Sequence, residues 1–281
     1  MKNSEINIRD PFVLVEGDTY YMYGTRAKNF GRLVGGVDVY ISKDLENWSD
    51  PVECFDSEAF GMNKDVNWAP EVHKYNGAYY MLATFTDGLR GTYAMKSESP
   101  LGPFKPHSDG KLTPVEWECL DGTLYTENGV PYLVFCHEHT QISDGAMCYI
   151  RLSDDLTHSV GEPVTLFRAS EPEWADRKTE PDQHFVTDGP FMYRTKNNTL
   201  IMMWSTFIEA KYAVCAVRFN DGTISGKFEH LAPLMVDDGG HGMLFETNGK
   251  LYFTFHAPNV IEAEHPAFVE MRDDGDSLSI K

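Results

Sequence analysis

The chain has 281 residues, of which 42% are hydrophobic, so it can bury a full core and intrinsic disorder is excluded. Its 24 basic and 43 acidic side chains give a formal charge of -19, which disfavours binding to nucleic acids or anionic membranes and favours a neutral ligand. No apolar run approaches the roughly 20 residues of a membrane-spanning helix, and the polar N-terminus lacks the apolar centre of a signal peptide, so we expect a soluble, cytoplasmic protein.

Five repeated segments follow one another along the chain. Each consists of a short strand, a turn that contains Gly or Asn, and a second strand rich in aromatic and β-branched residues. The turn residues tolerate the positive φ of tight hairpins, and the segments begin 52 to 67 residues apart. In chain order they are DPFVLVEGDTYYMYG from Asp10, APEVHKYNGAYYMLA from Ala69, DGTLYTENGVPYLVF from Asp121, DGPFMYRTKNNTLIMMW from Asp188 and HGMLFETNGKLYFTF from His241.

A third strand and a further turn follow each hairpin and leave room for a fourth, outer strand. The third strands are VDVYIS from Val37, GTYAMKS from Gly91, MCYIRLS from Met147, YAVCAVRF from Tyr212 and AFVEMR from Ala267. Four short strands in each unit are typical of a propeller blade, and no long segment has helical periodicity. The sequence therefore predicts an all-β, five-bladed β-propeller that forms a single domain over residues 1–281, with a β-sandwich as the alternative.

This architecture predicts where functional residues meet. In a propeller the first strand of each blade lines the central channel, and the antiparallel second strand returns to the mouth where the first one begins. Residues more than 200 positions apart in the sequence can therefore share one pocket. The ends of the second strands carry Thr25-Arg26, Thr84-Phe85, His137-Glu138, Ser205-Thr206 and His256.

Three carboxylates stand at the starts of first strands: Asp10, Asp121 and Asp188. A single aspartate at such a position usually caps a turn, but three at matched positions of a repeat indicate a shared site. Crowded carboxylates repel one another, so the pKa of at least one is raised. The resulting pair of a protonated and an ionised carboxyl is what hydrolysis of a glycosidic bond requires.

Four aromatic residues lie near the predicted mouth and can stack on a sugar face: Trp68, Phe85, Trp204 and Phe207. Aromatic residues at such positions more often belong to the core, and Trp68 is the exception. It lies in the polar stretch KDVNWAPE, which predicts a position at the mouth.

Four short motifs, one in each of the first four blades, resemble glycoside hydrolase family 43. They are Arg9-Asp10-Pro11, Trp68-Ala69-Pro70-Glu71, Leu120-Asp121-Gly122 and Thr187-Asp188-Gly189-Pro190. The resemblance implies a five-bladed propeller that inverts the anomeric centre. It implies that Asp10 is the general base, that Asp121 orients the acid and tunes its pKa, and that Asp188 is the general acid.

The fourth motif departs from the family, which usually has Glu where this chain has Asp188. The aspartate carboxyl is set back by about one C–C bond, and a misplacement near 1 Å costs about 100-fold in rate. Glu138, at the end of the second strand of the third blade, is the alternative acid.

Further site residues follow from their positions at the mouth. We expect substrate contacts from Arg26, Trp68, Glu71, Phe85, Glu138, Ser205 and His256. No cofactor is expected to be required. His241, within GGHGM, is either a structural histidine or, as the resemblance implies, lies near an axial ion such as Ca²⁺ or a water cluster.

The sequence thus predicts an exo-acting inverting glycosidase that removes terminal α-L-arabinofuranosyl or β-xylosyl units from neutral, plant-type oligosaccharides. An endo-arabinanase or a β-galactofuranosidase on the same fold remains open. A phosphorylase is disfavoured because the mouth carries few basic side chains. The alternative outside the enzymes is a non-catalytic carbohydrate-binding propeller, which would not need both Asp10 and Asp121.

Overall fold

A computed structural model describes residues 1–26, 35–62, 65–175 and 184–281. Five antiparallel sheets follow one another along the chain, and each pairs its strands in sequence order from the axis outwards. The predicted five-bladed β-propeller is therefore confirmed, including the fourth, outer strand of every blade. That residues 1–281 form one domain stays a prediction.

The first three blades contain four strands each. Blade 1 comprises β1 (Ile8–Glu16), β2 (Thr19–Arg26), β3 (Val37–Ser42) and β4 (Val52–Phe55). Blade 2 comprises β5 (Asn67–Tyr75), β6 (Ala78–Asp87), β7 (Leu89–Ser97) and β8 (Lys105–Pro106). Blade 3 comprises β9 (Cys119–Glu127), β10 (Val130–His137), β11 (Ala146–Leu152) and β12 (Ser159–Arg168).

The last two blades complete the ring. Blade 4 comprises β13 (Asp188–Arg194), β14 (Leu200–Ile208), β15 (Lys211–Phe219) and β16 (Phe228–His230), and the short β17 (Met235–Val236) also pairs with β15. Blade 5 comprises β18 (Gly240–Thr247), β19 (Lys250–Ala257), β20 (His265–Asp273) and β21 (Leu278–Ile280). The short helix α1 (His139–Ile142) follows β10, and single 3-10 turns span Asn3–Glu5 and Glu58–Phe60. Among the described residues, no helix has the length and apolar character needed to cross a membrane.

All five first strands contain the same irregularity close to their starts. In each of them, one residue of the first strand pairs with a residue near the end of the second strand. The next pair joins the residue three positions later on the first strand to the residue two positions earlier on the second strand. Two residues of the first strand therefore stand opposite one residue of the second strand and form a bulge. The first bulged residue has a positive φ in every blade: Asp10 (54°), Ala69 (45°), Asp121 (56°), Gly189 (52°) and His241 (48°).

This bulge corrects the predicted alignment of the repeats. Gly189, and not Asp188, occupies the position of Asp10 and Asp121. Asp188 instead pairs with Ser205, as Arg9 pairs with Thr25 in blade 1. The three carboxylates therefore come from two different positions of the repeat, because the fourth-blade motif is displaced by one residue.

The ring closes between blades 5 and 1 through side chains and not through a shared sheet. The Arg9 guanidinium forms an ion pair with the buried Glu264, with Nη1 and Oε1 2.6 Å apart. The Asn7 amide donates to the Glu264 carbonyl at 2.8 Å, and His265 Nδ1 lies 2.8 Å from the Ile6 carbonyl. These contacts join residues that are about 255 positions apart in the chain.

Candidate active site

A ring of hydrogen bonds fixes the bulges around the axis. In four blades the N–H of the bulged residue donates to a side chain at the end of the second strand of the preceding blade. The pairs are Asp10 N with His256 Nδ1 (3.2 Å), Ala69 N with Thr25 Oγ1 (2.7 Å), Asp121 N with Thr84 Oγ1 (3.0 Å) and His241 N with Ser205 Oγ (2.9 Å). In blade 4 the N–H of Gly189 donates to Asp121 Oδ2 at 3.1 Å. The backbone N–H group at each bulge therefore has a hydrogen-bond partner, and these bonds hold the catalytic candidates in a strained but fixed conformation.

A pocket of about 460 Å³ lies over this ring. Six of the predicted catalytic, substrate-binding and ion-site residues line it: Asp10, Trp68, Asp121, Glu138, Asp188 and His241. Its volume is within the range of small-molecule sites. Residues from all five blades meet here, although their positions in the chain span more than 200 residues.

The neighbours of Asp10 stabilise its ionised form. The Thr25 hydroxyl donates to Oδ2 at 2.7 Å, and His241 Nδ1 lies 3.1 Å from Oδ1. Burial alone would raise the pKa of Asp10, but its neighbours His241, His256 and Arg9 and the Thr25 hydroxyl outweigh burial, so the pKa lies below its ordinary value. An ionised carboxylate with fixed orientation can accept a proton from water.

His241 bridges two carboxylates at the axis. Its Nδ1 is 3.1 Å from Asp10 Oδ1 and 3.6 Å from Asp121 Oδ2. Burial disfavours the imidazolium, but the three aspartates outweigh burial and raise the pKa of His241. The side chain therefore faces the axis among acidic groups that favour its protonated form.

Asp121 and Asp188 differ from Asp10 in their protonation. Burial raises the pKa of Asp121 well above its ordinary value, and the carboxylates of Asp188 and Asp10 add to this effect. Burial and the charge of Glu138 likewise raise the pKa of Asp188. One pocket therefore holds an aspartate that favours ionisation and two that favour the protonated form.

Glu138 lies in a basic environment on the pocket wall. It forms ion pairs with Arg90, with Nη1 and Oε2 3.0 Å apart, and with His139. Burial would raise the pKa of Glu138, but His139 and Arg90 outweigh it and lower the pKa. This arrangement favours an ionised Glu138, which is the wrong form for a general acid, so it supports Asp188 in that role.

Trp68 and Arg90 form a wall of the pocket. The Arg90 guanidinium lies 5.5 Å from the centre of the Trp68 ring. Its Nε donates to Glu118 at 2.9 Å, and Nη2 donates to Thr140 at 2.8 Å. The arginine is thus held by partners on both sides and presents a rigid surface with the indole.

Five other residues expected to contact the substrate lie outside the pocket lining: Arg26, Glu71, Phe85, Ser205 and His256. Ser205 and His256 are buried and accept the ring hydrogen bonds described above. Burial lowers the pKa of His256 to about 3, so it is a neutral acceptor for the Asp10 N–H. The two side chains support the site from behind.

The other three are held by their own blades. The Arg26 guanidinium is bound by Asp38, with Nη2 and Oδ1 2.5 Å apart, and by Glu53 at 2.9 Å. Phe85 is packed in the core, and the Glu71 carboxylate lies 2.8 Å from His73 Nε2. Trp204, which the sequence also placed near the mouth, is buried in the core, whereas Phe207 lines the pocket.

Several lining residues were missed by sequence reasoning, among them Arg90, Tyr212 and Asn259. Arg90 and Tyr212 stand at the second positions of the third strands β7 and β15. The third strand runs antiparallel to the second, so it begins at the same mouth. The starts of the third strands were therefore the signal that could have identified these two residues.

The donor set around His241 does not fit a metal ion held by side chains. Across the described ranges, no group of three or more His, Cys, Asp or Glu side chains could hold one. His241 Nδ1 faces Asp10 and Asp121 instead. An ion near His241 stays a prediction.

Comparisons with known proteins agree with this geometry. The family model described as glycosyl hydrolases family 43 matches residues 4–273. A solved endo-arabinase from Bacteroides thetaiotaomicron VPI-5482 is 37% identical, with a TM-score of 0.90 over 99% of both chains. A thermostable family-43 glycoside hydrolase, 23% identical, has a TM-score of 0.82 over 98% of this chain and 93% of its own and shares the fold.

One curated relative is an extracellular exo-α-(1→5)-L-arabinofuranosidase from Cellvibrio japonicus (strain Ueda107). It is 28% identical over an alignment of 175 positions that covers 54% of this chain. The match spans 46% of that relative's length.

Proposed function

This chain belongs to the glycosyl hydrolases of family 43, and we propose that it is an inverting hydrolase of arabinofuranosidic bonds that removes terminal α-L-arabinofuranosyl units. The observation that carries the proposal is the pair Asp10 and Asp188. Both line one pocket, and their surroundings shift their pKa values in opposite directions. This is the acid–base pair that inversion requires.

In the proposed reaction Asp10 is the general base. Its ionised carboxylate accepts a proton from a water molecule, and this water attacks the anomeric carbon. Thr25 and His241 hold the carboxylate in place during the transfer. Attack by water on the face opposite the leaving group inverts the configuration of the sugar.

Asp188 acts as the general acid. Its protonated carboxyl donates to the glycosidic oxygen as the bond to the anomeric carbon breaks. Asp121 accepts the Gly189 N–H, so it fixes the bulge that follows Asp188.

Arabinose linkages are favoured over xylose by the relatives. The names of the curated relative and of the 37% identical structure both refer to arabinose polymers or their residues. β-Xylosyl bonds remain the nearest alternative within the family. A non-catalytic propeller is disfavoured because the separation of protonation states between Asp10 and Asp188 serves no purpose in a binding protein.

The proposal is tested on linear α-1,5-arabino-oligosaccharides, with 4-nitrophenyl β-xyloside as the comparison substrate. Proton NMR during the first minutes is expected to show free arabinose whose anomeric configuration is opposite to that of the substrate. Arabinose and the oligosaccharide shortened by one unit should be the early products, and the xyloside should react more slowly. A product of retained configuration would exclude the inverting mechanism.

Endo cleavage is the second candidate, favoured by the likeness to the endo-arabinase over 99% of both chains. An endo enzyme would lower the viscosity of linear arabinan early and release mixed oligosaccharides. An exo enzyme would release monosaccharide while the viscosity stays high. The same reaction mixtures, separated by chain length, distinguish the two.

A further inference from the structure

Tyr212 makes the closest polar contact to the acid candidate. It is the second residue of β15, and its hydroxyl lies 3.0 Å from Asp188 Oδ2. Burial, with the carboxylates of Asp188 and Asp10 next, raises the pKa of Tyr212 well above its ordinary value, so the phenol keeps its proton. Among the described residues, Asp188 is the hydrogen-bond acceptor for this hydroxyl.

The tyrosine ring is fixed from three sides. It stacks on His256 with centroids 5.6 Å apart and an interplanar angle of 23°. Phe207 lies 5.3 Å away on another side. Gly240 packs on a third side: a Cβ there would stand 2.6 Å from Tyr212 Cε1, so the ring approaches this backbone closely because the residue is glycine. The hydroxyl is therefore directed at Asp188 before any substrate arrives.

This contact determines where the acid proton can lie. A protonated carboxyl has one O–H donor, and its other oxygen remains an acceptor. The phenol donates to Oδ2, so the proton of Asp188 belongs on Oδ1. Among the described residues no hydrogen bond to Oδ1 is present, so this oxygen is left for the leaving group.

We propose that Tyr212 is a positioning residue that holds the short carboxyl of Asp188 and fixes its proton on Oδ1 for transfer to the glycosidic oxygen. This inference rests on the proposed role of Asp188 as the general acid. It also accounts for the aspartate in a motif that resembles one with glutamate. The Asp188 side chain is about one C–C bond shorter than that of glutamate. A hydrogen bond that fixes the orientation of the carboxyl compensates for this shorter length.

The first test compares Tyr212→Phe with the parent on two substrates. Hydrolysis of arabino-oligosaccharides, whose leaving group needs protonation, should fall about tenfold or more in kcat/KM. Hydrolysis of 4-nitrophenyl α-L-arabinofuranoside should change little. Equal losses on both substrates would show that Tyr212 acts through packing alone and would overturn the proposal.

A matched control is Tyr193→Phe. The Tyr193 hydroxyl also donates to a carboxylate, Glu246 at 3.0 Å, but lies outside the pocket. This variant should leave both activities unchanged. Both substitutions retain the ring, so thermal unfolding should show folded proteins in each case.

The second test measures the pKa of the Asp188 carboxyl directly. Protein labelled with ¹³C at the aspartate carboxyls is titrated by NMR, and the Asp188 signal is assigned by its loss in Asp188→Asn. The Tyr212 hydrogen bond favours the ionised form of Asp188, so its removal should raise the pKa of that carboxyl. An unchanged or lowered pKa would overturn the inference.

This titration also separates the two proposals. A raised pKa in Tyr212→Phe, in a protein that cleaves no arabinoside, would contradict the proposed function and leave the contact in place. If the parent hydrolyses arabinosides normally and the pKa of Asp188 is unchanged in Tyr212→Phe, the inference about Tyr212 is contradicted and the proposed function is not.

The third test lengthens the side chain at position 188 and removes the hydroxyl oxygen of Tyr212. Asp188→Glu adds one methylene and should drive the carboxyl against the phenol hydroxyl, so activity falls. Tyr212→Phe removes one oxygen and makes room for the longer side chain. The double variant should therefore hydrolyse oligosaccharides faster than Asp188→Glu alone. If it is no faster, Tyr212 is not matched to the shorter acid.

Discussion

The pKa values of two aspartates in one pocket shift in opposite directions because their neighbours differ. Asp10 has the His241 imidazolium, the Arg9 guanidinium and a hydroxyl donor close to it. Asp188 lies near the carboxylate of Glu138. Since both are buried, the sign of the nearby charge decides which one ionises. The resulting roles can be tested one residue at a time.

Asp10→Asn removes the proposed base and preserves its shape. We expect turnover to be lost on oligosaccharides and nitrophenyl glycosides alike, because both need an attacking water. Ligand binding and unfolding temperature should remain close to those of the parent, as calorimetry can show. Rescue by azide with a product of retained configuration would instead identify Asp10 as a nucleophile.

Asp188→Asn should affect substrates according to their leaving groups. Hydrolysis of natural glycosides should fall by about 100-fold or more, because general acid catalysis typically contributes that much. Nitrophenyl arabinofuranoside should lose far less. Glu138→Gln is the control: if that variant shows the leaving-group dependence and Asp188→Asn does not, the acid is on blade 3.

The pH profile follows from the directions of the two pKa shifts. The base must be ionised, and its pKa is lowered, so activity should persist into acid below the ordinary range of aspartate. The acid must be protonated, and its pKa is raised, so activity is lost as the pH rises through that raised value. We expect a bell-shaped dependence of kcat/KM on pH. In Asp188→Asn, assayed on the nitrophenyl substrate, the acid limb should remain and the basic limb should weaken.

At the scale of the strands, sequence reasoning predicted the number of blades and the strands within each. Alternating patterns and hairpin turns are local properties, so they can be seen without a structure. The bulge could not be seen, because positive φ values at Asp10, Ala69 and His241 are not signalled by their residue types. Matching the aspartates by identity therefore placed Asp188 one position too late in the repeat.

Gly189 shows what this bulge requires. Four blades carry a non-glycine residue at the same positive φ, so the backbone alone does not demand glycine. A Cβ at Gly189 would stand 2.6 Å from Cδ2 of His241, so the glycine makes room for the imidazole.

We therefore expect Gly189→Ala to displace His241 and to reduce kcat by about tenfold or more. The acid limb of the pH profile should move upwards, because Asp10 loses a favourable charge. Gly17→Ala is the matched control, since Gly17 also has a positive φ but nothing within 4 Å of its Cβ position. Equal effects of both substitutions would contradict the role of the His241 contact.

At the scale of the whole molecule, the propeller topology brought six predicted residues to one pocket. It could not tell which mouth residues point inwards. Arg26 is bound by Asp38, a partner on the neighbouring strand that the sequence does not identify as such. Tyr212 and Asn259 entered the site from a third strand and from a loop after β19, beyond the ends of the first two strands of each blade.

A buried ion pair between the first and last blades contributes to closure of the ring. The Glu264 side chain is 0% exposed and lies 2.6 Å from Arg9. Removing one partner of such a pair leaves a buried charge and typically costs about 3–5 kcal/mol. Arg9→Met should therefore lower the free energy of unfolding by about that amount, as measured by urea denaturation.

The double variant Arg9→Met with Glu264→Met decides whether the loss comes from the charge or from the contact between blades. Replacing a buried pair by apolar side chains of similar volume is often neutral. We therefore expect the double variant to regain most of the stability, although Asp10 loses the charge of Arg9 and activity remains reduced. Lys43→Met, which removes an exposed ion pair with Asp18, should change the stability little. If the double variant is as unstable as Arg9→Met, closure depends on the arginine geometry itself and not on compensation of the Glu264 charge.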